Sequence, residues 1–250
     1  MRPAATLAAL ALVGAGAWLA SDWSGAGRRL WYPTYVALMG GRTHRDVLDE
    51  IGPRHRPSLR EAFATSRIGY PPPGLTLIGL KEEKRLEVWA PGGSGWTRVR
   101  TYPILAASGR PGPKLREGDR QVPEGIYPLT GFNPNSSYHL SIRIDYPNAD
   151  DRAVAKAEGR VNLGGDIFIH GKAVSIGCLA IGDDSIEELY VLLADVGLEQ
   201  ARIVLAPSAS PEPDPEAAEW VVDLYQRLGA ELARIRGLCL LVEAVRGEAS

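Results

Sequence analysis

The sequence predicts a mainly β domain with a few helices, framed by helical appendages at its N- and C-terminal ends. Three observations carry that expectation. Between Leu75 and Ala206 apolar residues fall in short runs of strand length, separated by clusters of Gly, Pro, Asn and Asp. Within that region helical periodicity is confined to about Arg152–Glu158 and to Ile186, Leu189, Tyr190 and Leu193. Longer helical patterns lie only outside it, before Pro71 and after Pro215.

Taken in order, residues 1–26 read as an export element. Arg2 supplies a positive charge, and Ala4–Ala20 is an uncharged run rich in Ala and Leu. That run is near the lower limit for spanning a bilayer, so a cleaved signal peptide and a retained membrane anchor both stand open. Arg28 and Arg29 follow it and leave the orientation unsettled. Residues 27–70 form an Arg-rich, partly helical appendage. Thr43 is placed to cap one helix through Asp46, and Ser58-x-x-Glu61 has the form of a second capping box. Pro71-Pro72-Pro73-Gly74 ends the segment.

From there, Leu75–Leu80 and Leu86–Ala90 flank Lys81–Arg85 as a hairpin, and Thr97–Leu105 is a further strand. Ser108–Val122 reads as a polar loop in which Lys114 and Arg116 are solvated. Ile126–Thr130 and Tyr138–Ile144 are strands with a turn at Asn133-Pro134-Asn135-Ser136 between them. In the second, Leu140, Ile142 and Ile144 alternate with polar residues, the period of a half-buried strand. Asp184-x-x-Glu187 is expected to cap a helix, and Arg202–Ala206 closes the region as a strand. The segment 207–250 combines a Pro-rich linker with an amphipathic helix through Ala217, Val221, Leu224, Leu228, Leu232 and Ile235, expected to dock onto the domain.

Composition excludes some functions. A net charge of −2 and the lack of any nucleic-acid motif give no basis for binding DNA or RNA. The basic bias of residues 27–70 and the acidic bias of residues 207–250 read first as solvated faces. No cluster has zinc or calcium spacing, and no cofactor is implied. Two cysteines, Cys178 and Cys239, are too few for a disulfide framework. Their pairing would silence Cys178. Cys239 lies in the apolar run Leu238–Val242, where a buried thiol is the simpler expectation.

Chemistry concentrates in Gly165–Ala180, GDIFIHGKAVSIGCLA. The strand-like Ile167-Phe168-Ile169 ends in His170-Gly171, and Cys178 follows Ser175-Ile176-Gly177. A thiol and an imidazole so near in sequence meet if the chain folds back between them, which the two glycines permit. A thiol beside a base is an activated nucleophile, because the thiolate does the attacking. The alternative is a buried cysteine and a satisfied strand-end histidine.

His170-Gly171 with Ser175-x-Gly177-Cys178 resembles the HG…SxGC signature of the L,D-transpeptidase catalytic domain, the YkuD type. Val122-Pro123-Glu124-Gly125-Ile126-Tyr127 is similar to that family's TPxGxY segment. Tyr138-His139-Leu140-Ser141 and Asp145-Tyr146-Pro147-Asn148-Ala149 resemble its compact YafK-like branch. The likeness covers roughly residues 70–206, and residues 71–206 are taken as the catalytic domain. It implies a β-sandwich in which Cys178 is the nucleophile, His170 the general base, and the carbonyl of Gly171 the third member that fixes the imidazole tautomer. Gly177 and Cys178 N–H groups are the oxyanion candidates. Candidate substrate contacts are His139, Tyr138, Arg143, Tyr146, Asn148 and Ser175, and Arg143 could pair with a stem carboxylate.

The implied substrates are peptidoglycan stem peptides, attacked at the third residue, with another stem or a wall-attached protein as acceptor. The implied location is the periplasm or cell envelope, with membrane contact only through residues 1–20. Two departures from the commoner family pattern bear on specificity: Ala180 stands where many members carry Arg, and the His170–Cys178 span is short. Hydrolysis of the same linkages is the close alternative, and a non-catalytic wall-binding protein the more distant one. A papain-like protease is disfavoured, because no histidine follows Cys178.

Overall fold

The structure, a computed structural model, describes residues 34, 36, 38, 40–93 and 95–237. Segment 1–26, Cys239 and the Leu238–Val242 run lie outside the described residues. Among the described residues no helix is long and apolar enough to cross a membrane.

Strands β1 (Leu75–Leu80), β2 (Arg85–Gly92), β3 (Gly95–Pro103), β4 (Ala106–Ala107), β5 (Gly125–Ser136), β6 (His139–Ile144), β7 (Ile167–His170), β8 (Leu179–Ala180) and β9 (Ala201–Ala206) form one mixed sheet. Its order is β3-β2-β1-β9-β5-β6-β7-β8-β4. The long β5 joins the two halves. Its first residues, Gly125–Pro128, pair with β9, and from Leu129 onward it pairs with β6, with register shifts after Leu129 and Asn133. Such bulges bend a strand, which lets one strand serve two differently oriented parts of a sheet.

Helices α1 (His44–Thr65), α2 (Ala149–Ala157), α3 (Asp183–Val196) and α4 (Glu219–Arg236) surround this sheet. The parallel pair β1·β9 is buried on both faces, as parallel strands usually are. Leu75, Leu77, Ile203 and Leu205 face the main core, which also takes in Ile142, Ile169, Leu189 and Leu193. Ile78, Leu80 and Val204 face the other way, onto Tyr225, Leu228, Leu232 and Ile235 of α4. The C-terminal helix therefore covers an apolar sheet face.

At the N-terminal side Thr43 makes the expected capping box with Asp46. Ser58 does not begin a second helix. One helix runs through Pro53 and Pro57, and Ser58 sits inside it, bonded to Arg100 and near Glu188. Burial of Val47, Ile51, Leu59 and Phe63 in the main core holds α1 together where two prolines remove backbone donors.

Three further expectations differ. The turn placed at Asn133–Ser136 is part of β5, and the chain reverses at Ser137-Tyr138. Asn135 prolongs the strand because its side chain exchanges two hydrogen bonds with the backbone of Arg42. Helix α3 starts at Asp183 after Gly182, with no side-chain cap; Asp184 does not serve as one. Lys114 is buried rather than solvated, its ammonium 2.5 Å from Asp119. Asp119 also accepts from the amides of Leu115, Arg116 and Gln121, which turns the polar loop into a tied structure.

Candidate active site

Strands β7 and β8 build the site. They are a parallel pair, with Ile169 opposite Leu179 and His170 opposite Ala180. The loop 171–178 returns the chain so that Cys178, immediately before β8, comes beside the strand that ends in His170. The return is tight. Gly177 has φ +106°, a conformation that favours glycine. At Gly171 a Cβ would come within 2.5 Å of Asp183 Oδ1 and 2.8 Å of the Tyr138 carbonyl, so only glycine fits.

His170 is buried, and Cys178 is half-buried. The imidazole Nδ1 lies 2.6 Å from the carbonyl oxygen of Gly171. A carbonyl only accepts, so Nδ1 carries the proton and donates it, and Nε2 carries the lone pair. That tautomer is the one a base for a thiol requires. The ring of Tyr138 stacks on His170 with centroids 4.6 Å apart and planes 29° from parallel. Cys178 Sγ lies 3.7 Å from the Asp166 carbonyl. An open groove of about 210 Å³, lined by Asn133, Ser136, Tyr138, Ser141, Asp166 and His170, leads up to the imidazole.

Residues 76–203, just over half of the chain, match the model of the L,D-transpeptidase catalytic domain, YkuD. The chain belongs to that family. YafK of Escherichia coli, which carries a provisional L,D-transpeptidase name, is 38% identical over 113 residues. That match spans 44% of this chain and 44% of YafK, so the chain matches under half the length of this relative. Two solved structures are similar at 21% identity: the helical cell shape determining protein Pgp2 of Campylobacter jejuni and Bd1075 of Bdellovibrio bacteriovorus. Pgp2 covers 68% of this chain and 60% of its own, with a TM-score of 0.45. For Bd1075 the shares are 68% and 55% and the score 0.41. The family assignment does not rest on either.

Tyr138, His170 and Gly171 of the L,D-transpeptidase motifs are in mutual contact at the end of β7, and Ser175 and Cys178 are bonded to each other at the start of the neighbouring β8. Arg143 stands at the rim, paired at 3.3 Å with Asp166 on the surface. Tyr146 and Asn148 sit elsewhere. Tyr146 is buried, and its hydroxyl donates to the carbonyls of Lys114 and Leu163 at 3.3 Å. Asn148 caps α2 and donates to the Ile126 carbonyl. Both side chains are occupied in holding the fold. In the TPxGxY-like segment, the ring of Tyr127 lies so close over Gly125 that a Cβ there would be 2.6 Å from its hydroxyl.

Ser175 accepts from Cys178 N at 3.1 Å and donates to Cys178 O at 2.6 Å, so it clamps the nucleophile's own peptide groups. The amide of Gly177 donates to Ser108 Oγ at 2.5 Å. Both amides proposed as oxyanion donors are therefore engaged by serine hydroxyls in this arrangement. A substrate oxygen would have to displace them or share the donors.

Two residues near the site are not marked for chemistry by the sequence, although Glu187 stands in the Asp184-x-x-Glu187 capping pattern. Ser108, from the loop after β4, reaches Gly177 across the fold, and nothing in its local sequence marks it. Glu187 on α3 joins His139 at 2.6 Å to His55 of α1 at 3.1 Å. Burial alone would raise the Glu187 carboxyl, but the hydrogen bonds of His55 and His139 and the Arg54 charge outweigh it and hold it below the usual range. Among the described residues no group of three His, Cys, Asp or Glu side chains is disposed to hold a metal ion.

Proposed function

We propose that this protein is a peptidoglycan L,D-transpeptidase that works through a thioester on Cys178. The observation that carries the reading is the hydrogen bond from His170 Nδ1 to the Gly171 carbonyl, which selects the tautomer able to take the thiol proton. In that reading Nε2 of His170 accepts the proton of Cys178, and the thiolate attacks the carbonyl carbon of the third stem residue. The C–N bond to the terminal D-residue then breaks, and its amine leaves with the proton from His170. A second amine, from a neighbouring stem or a wall-attached protein, gives its proton to His170 and attacks the thioester. The new C–N bond forms, the C–S bond breaks, and sulfur recovers its proton. Two half-reactions through one covalent intermediate predict ping-pong kinetics.

Residues 71–206 are the catalytic unit in this proposal, and residues 1–26 deliver it to the envelope. Helices α1 and α4, one from each flanking segment, pack against it. Tyr138 and the Asp166–Arg143 rim are the surfaces offered to substrate, with Ser108 and Ser175 governing access to the Gly177 and Cys178 amides.

The test incubates the full chain, wild type and Cys178→Ala, with whole peptidoglycan sacculi and compares the digested products by mass spectrometry. New links between third residues that vanish with Cys178→Ala are the expected result. Cys-dependent loss of a D-residue or release of an attached protein, with no new link, would instead identify a hydrolase. Identical products from the two proteins would reject catalysis and leave a wall-binding role.

A further inference from the structure

His139 begins β6 directly after the Ser137-Tyr138 turn and adopts φ +77°. For a residue with a side chain the left-handed region is strained, so it persists where its surroundings enforce it. Here a carboxylate holds its side chain. Oε1 of Glu187 accepts from His139 Nε2 at 2.6 Å. Oε2, on the other side, meets His55 Nε2 at 3.1 Å and the guanidinium of Arg54. His55 is buried in the packed face of α1, which lies outside the stretch matched by the family. Glu187 thus bridges a helix behind the site to a turn that forms its wall.

That turn and the start of β6 touch the proposed base at one point, its ring face, and the adjoining Gly171 at three. The Tyr138 ring stacks on the His170 imidazole. The Tyr138 carbonyl and His139 Cβ crowd Gly171 so closely that no Cβ could be added there. The Leu140 carbonyl accepts from Gly171 N at 3.2 Å. The hydrogen bond from Nδ1 to Gly171 O fixes one end of the imidazole, and the Tyr138 face fixes its plane.

We propose that Glu187 is a positioning residue for the thiol chemistry: through His139 it holds the Tyr138–His139 turn against His170, so that the imidazole stays aimed at Cys178. The inference rests on the reading of Cys178 and His170 as nucleophile and base. His139 is on this account part of the brace rather than a substrate contact.

The experiment follows alkylation of Cys178 by iodoacetamide as a function of pH in the full-length chain, reading the Cys178 peptide by mass spectrometry so that Cys239 does not interfere. Melting temperature is recorded alongside. With Glu187→Ala the rate at neutral pH is expected to fall about tenfold and its midpoint to move up toward the ordinary thiol value of about 8.5. Glu187→Gln, whose amide oxygen still accepts from His139, is expected to stay within about threefold of wild type. His139→Ala should resemble Glu187→Ala. His139→Gln, whose amide nitrogen reaches as far as the imidazole Nε2 and keeps the donor, should recover more of the rate than His139→Ala. Leu228→Ala, on the buried face of α4 and in a core cluster separate from the main one, supplies a comparably destabilised control whose midpoint should not move.

A wild-type midpoint in both Glu187→Ala and His139→Ala overturns the inference, whatever their melting temperatures. So does a Leu228→Ala midpoint that shifts as theirs do. His170→Ala separates the two levels: if it too leaves the midpoint unchanged, the thiol–imidazole reading falls first. If His170→Ala shifts it and the two other variants do not, only the role of Glu187 is lost.

Discussion

Replacing Gly171 with alanine is the sharpest test of how this site is built. The added Cβ would lie 2.5 Å from Asp183 Oδ1, 2.8 Å from the Tyr138 carbonyl and 3.1 Å from His139 Cβ. Two of these are shorter than real Cβ contacts allow, and the Tyr138 carbonyl is backbone, so the turn or the His170–Gly171 segment must move. Overpacking of this kind costs about 1–3 kcal/mol, which for a domain of this size lowers the melting temperature by about 2–12 °C. Movement of the His170–Gly171 segment carries with it the Gly171 carbonyl, to which His170 Nδ1 donates at 2.6 Å. An imidazole misplaced by about 1 Å costs on the order of a hundredfold in rate. Calorimetry and the pH profile of Cys178 alkylation would measure the two effects separately, with turnover on sacculi as the functional readout. The loss of turnover should far exceed the fraction unfolded at the assay temperature. Gly171→Ala with an unchanged melting temperature and wild-type turnover would refute the account of the site.

Other predictions are more local. Ser175→Ala removes both hydrogen bonds that clamp the Cys178 peptide groups; acyl-enzyme formation, followed by intact-protein mass spectrometry, should slow by about ten- to a hundredfold with little change in melting. Lys81 and Glu124 form a buried pair at 2.9 Å, with Tyr225 of α4 donating to the second carboxylate oxygen. Lys81→Met leaves that carboxylate without its cation and should cost about 3–5 kcal/mol in urea unfolding, partly recovered in Lys81→Met/Glu124→Gln. Stability should also fall with acid. Burial would raise Asp195 and Glu87, but the bonds from Arg56 and Tyr70, and from Arg85 and Trp89, outweigh it and lower both. Depressed carboxyls stabilise above their unfolded values and lose that contribution as pH falls through the folded ones. Burial lowers His44 as well, so a first loss should begin below about pH 6.5. Urea midpoints at pH 7, 5 and 3 that stay level would contradict these assignments.

Leu228→Ala, in the layer between α4 and the β1·β9 pair, should cost about 2–5 kcal/mol. A cost near zero would mean that the C-terminal helix does not stabilise the domain.

Much of this protein was determined by the sequence alone, because the deciding forces are local. The β1–β2 hairpin, the alternation in β6, the Thr43 capping box and the apolar face of α4 follow from periodicity and short-range hydrogen bonding. The HG…SxGC segment pointed to its family for a related reason, since thiol, imidazole and turn glycines lie within nine residues of one another. Only the tertiary structure decided the rest. Burial in the core carried α1 through Pro53 and Pro57 where the local signal at Ser58 suggested a break. Asn135 became part of a strand because Arg42, far away in sequence, completes its hydrogen bonds. Lys114 left solvent for Asp119, and Tyr146 and Asn148 turned inward to support the fold. The brace of His55, Glu187 and His139 joins three separate elements, as does the contact of Ser108 with Gly177 joining two. No pattern along the chain records such pairings, because each depends on which surfaces the sheet and helices bring face to face.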